Sequence, residues 1–221
     1  MCANLLVQNV RPFGVSPLDG QAIDILVENG RIAKMEAGIE VGDAVAVCDG
    51  QNQLALPGLV NAHAHIDKNM LGWPWHKNQV PGRRIRDYVD NERKVRRELG
   101  LSAQAQSERE VRQSLALGTT HIRTHVDIDT EAGLAHFEGV LATRSKYREA
   151  MTMQTVAFPQ SGMLIRPGTV ELLEEAVKMG ADAIGGLDPS TVDRDPVRHL
   201  DIVFDIAERY AAGIGLRITR I

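Results

Sequence analysis

Apolar and polar positions change their rhythm once along this chain. Over residues 5–10, 23–27, 31–35 and 44–47, short runs rich in Leu, Ile and Val are separated by polar, glycine-containing segments. Such runs read as short β-strands. Glu28-Asn29-Gly30 joins the second and third runs, and Asn-Gly favours a tight hairpin because both residues accept positive φ. Residues 1–55 are therefore expected to form a small, sandwich-like β unit. Its strands are few, so they must pack against something else.

From residue 56 onward, strand and helix patterns alternate. A strand is predicted over 56–66, followed by a long polar loop and helical sequence over 82–98. Ser102 can cap a helix that runs to Leu117 and stops at Gly118. A second strand covers 119–128, a helix 130–147 and a third strand 151–158. The next helix, 169–179, places Leu172, Leu173, Ala176 and Val177 on one face. A fourth strand covers 183–187. Pro196 opens a helix to about residue 211, and a fifth strand starts at Ile214. Repeated strand–helix units predict a parallel sheet. The expected fold class is α/β: a partial TIM-type (β/α) barrel of about five strands over residues 56–221, since a whole barrel takes about 250 residues.

The predicted strand ends carry the candidate chemistry. The first strand finishes in His63-Ala64-His65. In a strand, residues i and i+2 share a face and lie roughly 6.6 Å apart along the backbone. Two imidazoles so spaced can close on one metal ion, although two histidines at a strand end can also be ordinary polar residues. In the second strand His121, Arg123, His125 and Asp127 alternate with Ile122, Thr124, Val126 and Ile128. One face is ionisable and would line the barrel interior. His121 and Arg123 could serve an internal structural network. His125 and Asp127 stand nearer the C-terminal end, where barrel enzymes keep their sites.

Gln160, just past the third strand, can donate and accept hydrogen bonds, as a heterocycle with a carbonyl beside an N–H requires; it could equally be a solvated loop residue. Asp188 ends the fourth strand, where it could bind substrate or cap the turn before Pro189. Lys68, Trp73, Trp75 and His76 lie in the loop after the first strand. Both tryptophans of the chain are there and could wall a pocket or cover the barrel mouth.

Composition narrows the function classes. The chain has 221 residues, 43% hydrophobic and 24% charged, with a net charge of −4. No basic stripe alternates with aromatics, which argues against nucleic-acid binding. No apolar run approaches the roughly 20 residues of a membrane span. Met1-Cys2-Ala3-Asn4 has neither a basic start nor a long apolar stretch, so no signal peptide is expected. Cys2 and Cys48 form no C-x-x-C pair, which fits a reduced, cytoplasmic protein.

Leu56-Pro57-Gly58-Leu59-Val60-Asn61-Ala62-His63-Ala64-His65 resembles the opening signature of the amidohydrolase superfamily. Ile122-Arg123-Thr124-His125-Val126-Asp127 and Val156-Ala157-Phe158-Pro159-Gln160 resemble its cytosine deaminase branch. The resemblance implies a (β/α)8 barrel with a small β-sandwich. It implies one divalent metal ion, iron or zinc, held by His63 and His65. It also implies a small heterocyclic substrate that hydrogen-bonds Gln160; His125, Asp127, Asp188, Lys68 and Trp75 are the further substrate-binding candidates from the strand ends and loop. The implied reaction is hydrolysis of a carbon–nitrogen bond in a cyclic amidine. A metal lowers the pKa of its water to about 7, hydroxide attacks the ring carbon, and ammonia leaves.

Strand four carries no lysine, unlike the two-metal branches that use a carbamylated one. The family's third metal histidine and its proton-shuttling glutamate are missing from residues 214–221. A truncated or frameshifted, catalytically inactive fragment is therefore the alternative expectation. Two unpaired sheet edges would favour homo-oligomers or poor solubility. The H-x-E and P-C-x-x-C elements of cytidine deaminases are absent.

Overall fold

Asn29 and Gly30 take positive φ, 51° and 74°, and turn the chain into an antiparallel hairpin. A computed structural model describes residues 4–80, 82 and 84–217. The chain divides into two units, Met1–Pro57 and Gly58–Ile221.

The first unit is one mixed sheet of β1 (Leu5–Pro12), β2 (Ile23–Glu28), β3 (Arg31–Glu36) and β4 (Ala46–Ala55), in the order β3-β2-β1-β4. β1 pairs antiparallel with β2 and parallel with β4. Leu6, Leu26 and Ile39 form its small core. The Asp24 carboxylate accepts from the backbone N–H groups of Asn9, Gly38 and Ile39 at 2.9–3.0 Å, tying the irregular middle of β1 and the loop after β3 to β2. β4 runs well past the short strand expected at 44–47. Gln51 and Asn52 take positive φ, at 52° and 57°, and the register against β1 slips there, so pairing resumes up to Ala55.

The second unit is a five-stranded sheet of β5 (Leu59–Ala64), β6 (Thr119–Asp127), β7 (Thr152–Phe158), β8 (Ala183–Leu187) and β9 (Gly213–Arg217). All neighbours are parallel and follow chain order. An order that never reverses is that of a barrel wall; doubly wound sheets reverse at a switch point. α1 (Ile85–Glu98) and α2 (Ala103–Ala116) cross from β5 to β6. α3 (Ala135–Lys146), α4 (Thr169–Lys178) and α5 (Pro196–Tyr210) make the later crossovers, the last after a π-helical turn at Pro189–Asp193.

Side chains from strands and helices meet in one core that includes Ile122, Val126, Phe137, Leu173, Ile184 and Ile206. Each fully buried side chain of this size contributes roughly 1.5–3 kcal/mol. Ser102 caps α2 by accepting from Ala105 N–H at 3.2 Å, and Asp195 caps α5 by accepting from Arg198 N–H at 3.1 Å. Gly139 lets α3 lie close to α2, since a Cβ there would stand 2.7 Å from the backbone nitrogen of Gln104.

Two boundaries near the site differ from the sequence reading. The histidine-bearing strand starts at Leu59, not 56, because Pro57 cannot donate to a ladder and Leu54 and Ala55 belong to β4. α3 starts at Ala135, not 130. Asp129 there accepts from the N–H groups of Glu131 and Ala132, both at 2.9 Å, which holds the segment in a turn. Of the expected fifth strand, residues 218–221 lie outside the described residues.

Candidate active site

β5, β6, β7 and β8 deliver their C-terminal residues to one end of the parallel sheet, as parallel packing requires. β5 is irregular there. Its register against β6 slips between Asn61 and Ala64, and the Asn61 side chain accepts from His63 N–H at 3.2 Å. His63 therefore lies in the strand, while His65 falls one residue beyond its end.

The two imidazoles nonetheless meet, with ring centroids 5.4 Å apart. His125 from β6 completes a group of three, at 4.3 Å from His63 and 5.6 Å from His65. Phe158, fully buried at the end of β7, packs edge-on against His65 and His125 at 5.7 and 5.5 Å. His63 is exposed, His65 half-buried and His125 buried. Burial, then the Lys68 charge, push the His65 pKa down to about 4, against the opposing pull of Asp67. Its imidazole is neutral at physiological pH, the form that ligates metals. Two imidazoles, His63 and His65, are donors suited to a borderline divalent cation, so this pair fits the metal implied by the resemblance.

Beside them, the Lys68 ammonium donates to Asp127 Oδ1 at 2.9 Å and to Gln160 Oε1 at 3.2 Å. Lys68 thus joins the loop after β5 to the ends of β6 and β7. Burial and the neighbouring Asp67 push the Asp127 carboxyl up to about 6, although Lys68 opposes the shift. Gln160 is half-buried and lines a cavity of about 80 Å³ with Val89, Ile165, Leu187 and Val192.

Behind Asp127 lies a group that sequence reasoning missed. Asp67 is fully buried, and its Oδ2 faces His136 Nδ1 of α3 at 2.9 Å and accepts from Asp127 N–H at 3.2 Å. Burial raises the Asp67 pKa, but the His136 hydrogen bond and the Lys68 charge outweigh it and hold the carboxyl below its ordinary value. Asp67, Asp127 and His136 each offer a ligand atom within 4.8 Å of the others, so this buried group could also hold a metal ion. Asp67 sits just past the H-x-H motif, which is a weak signal. His136 gives none, being one polar residue in a helix.

The remaining candidates are placed as follows. Asp188 is 3% exposed; its Oδ1 accepts from Thr191 N–H at 3.1 Å and caps the turn, while Oδ2 has no hydrogen-bond partner. Trp75 is 84% exposed in the loop before α1. Among the described residues no hydrogen bond or ring contact joins it to the histidines. Arg123 is exposed and donates to Gln154 Oε1 at 2.6 Å across to β7, and His121 is also exposed, so neither lies in a buried network.

Fold and site together define a (β/α)-barrel unit with ionisable groups at the C-terminal ends of its strands, and known proteins share the fold. The crystal structure of N-isopropylammelide isopropylaminohydrolase from Burkholderia multivorans ATCC 17616 superimposes with a TM-score of 0.89 at 45% identity, covering 99% of this chain and 54% of that one. That of 5-methylcytosine deaminase from Klebsiella pneumoniae, liganded with 5-fluorocytosine, gives 0.73 at 25% identity, covering 96% and 50%. N-isopropylammelide isopropyl amidohydrolase of Pseudomonas sp. (strain ADP) is 31% identical over 206 residues, 88% of this chain and 49% of that protein. No protein-family model matches the chain. The chain belongs to the amidohydrolase superfamily. It spans about half the length of these relatives.

Proposed function

We propose that this chain serves the metal-dependent hydrolysis of a carbon–nitrogen bond in a cyclic amidine: a pyrimidine, purine or triazine bearing an exocyclic nitrogen. The observation that carries this reading is the meeting of His63, His65 and His125, with centroids 4.3–5.6 Å apart, at the C-terminal end of the sheet. The named activities and ligands of the relatives agree with it.

In this reading His63 and His65 hold one divalent ion, iron or zinc. When bound, the ion supplies Lewis acidity at the strand ends. The chain's own residues do the rest. His125 and Asp127 face the ring from β6, Gln160 and Lys68 bind its polar edge, and Asp188 offers its second carboxylate oxygen from the end of β8. Trp75 belongs to the loop that would exclude water. Phe158 holds two of the imidazoles in place by edge-on packing.

A second reading places a metal on Asp67, Asp127 and His136. It is favoured by Asp67 Oδ1, a buried oxygen without a hydrogen-bond partner. It is opposed by Lys68, which already neutralises Asp127.

Metal content per chain separates the two. The first reading expects about one ion in the unaltered chain, lost in His63→Ala/His65→Ala and kept in His136→Ala. The reverse pattern would establish the second. Ammonia or amine release from a panel of nucleobases and aminotriazines tests the reaction. A chain that binds metal yet releases neither would point to a non-catalytic role.

A further inference from the structure

Arg96 carries a buried charge that no carboxylate answers. It stands in the last turn of α1 and is 5% exposed. Its Nη2 donates to the Asp67 backbone carbonyl at 2.8 Å, and its Nη1 faces His136 Nε2 at 3.4 Å. Its Nε has no hydrogen-bond partner. Neither contact supplies negative charge. The neighbouring arginines of α1 are paired, Arg93 with Asp129 and Glu131, and Arg97 with Glu131. Among the described residues no such ion pair reaches Arg96. A buried guanidinium left this way is costly, and a counter-anion removes the cost.

The surroundings offer room for one. Arg96 lines a cleft of about 590 Å³ where the end of α1 meets the starts of α2 and α3. Arg93 and Arg97 line it too, against two carboxylates, Glu131 and Glu138. The first turns of both α2 and α3 open on it, with Gln104 on one side and Ala135 on the other. First-turn N–H groups have no intrahelical partner, and Leu134 before α3 gives no side-chain cap. Two helix starts add positive potential to that of the arginines. Donors that converge from three helices suit a tetrahedral oxyanion better than a planar carboxylate. The volume exceeds what a bare oxyanion fills and lies within the range of about 300–1,000 Å³ usual for small-molecule sites.

We propose that this cleft binds the phosphate group of a small phosphomonoester, with Arg96 as the charge that holds it. The site is separate from the His63–His65 pair and does not rest on the ring chemistry proposed there.

Calorimetric titration of the 221-residue chain with inorganic phosphate and with glycerol 3-phosphate, at neutral pH in a buffer free of both, tests it. Both are expected to give saturable heat, and glycerol none. Arg96→Met should weaken both at least about tenfold, the order of losing one hydrogen bond to a charged group. Ala135→Glu puts a carboxylate into the cleft at an exposed position in the first turn of α3, where a negative side chain suits the helix. It should weaken binding as much, and Ala135→Gln, of the same size without the charge, should keep it. This second pair carries the test should Arg96→Met fail to fold. No binding to the unaltered chain, or unchanged binding in Ala135→Glu, overturns the site. Binding of inorganic phosphate without glycerol 3-phosphate overturns the monoester class. His63→Ala/His65→Ala should bind phosphate as the unaltered chain does. Loss of binding there would put the anion on a metal at the strand ends and overturn the cleft. A chain that holds no metal yet binds both anions supports the cleft while the metal reading fails.

Discussion

His136 Nδ1 lies 2.9 Å from Asp67 Oδ2, a contact between residues 69 apart in sequence. It ties α3 to the segment just beyond the H-x-H motif. Asp67 is fully buried, and His136 joins Lys68 and the Asp127 N–H in stabilising its carboxylate beneath the site.

His136→Ala should therefore destabilise the second unit by about 1–3 kcal/mol, the cost of removing one partner of a buried polar group. His136→Asn retains a donor and should recover part of the loss. Urea midpoints at pH 7 for both variants check this, and an unchanged midpoint for His136→Ala would refute it.

Asp193 predicts a pH dependence. Burial raises its pKa, but His199 and the N–H groups of Met163 and Leu164 outweigh burial and hold it below the ordinary value. A depressed carboxyl stabilises the fold above its unfolded pKa of about 3.9, and that contribution is lost as pH falls through the folded value. Asp193→Asn should cost about 2 kcal/mol at pH 7, and the gap to the unaltered chain should narrow below pH of about 4. Urea titrations at neutral and acid pH compare the two.

Helix packing gives a third prediction. A side chain at Gly139 would meet the backbone of Gln104 at 2.7 Å, and backbone cannot swing aside as a side-chain tip can. Gly139→Val should destabilise by about 1–3 kcal/mol, the usual cost of overpacking. Gly180→Ala is a poorer control, because Gly180 has φ of 109° and any side chain is strained there. Thermal unfolding of Gly139→Ala and Gly139→Val should show loss rising with side-chain size.

Metal binding should appear as stability even where no turnover is seen. A zinc concentration a hundredfold above its dissociation constant should stabilise the chain by about 2.7 kcal/mol. His63→Ala/His65→Ala should abolish that gain, and a chelator should reverse it in the unaltered chain. Zinc-dependent stabilisation that survives in the double variant would move the metal to Asp67, Asp127 and His136.

The amino-acid sequence by itself determined the alternating strands and helices, the cap at Ser102, the helix start at Pro196, the Asn29-Gly30 hairpin and the H-x-H motif. These are local: periodicity, turn chemistry and capping act over a few residues. It also marked His125 and Asp127, because alternation along β6 sorts its two faces. Tertiary structure alone decided which groups meet. His125 reaches His63 because β6 lies beside β5 in a slipped register, and His136 reaches Asp67 because α3 packs back over β6. Gln160 Oε1 accepts from a lysine 92 residues away in sequence. Asp188 looked like either a cap or a ligand, and the fold gives one oxygen to the cap and leaves the other unpaired. Distances of a few ångströms between separate strand ends are set by register and packing, and no local pattern encodes them.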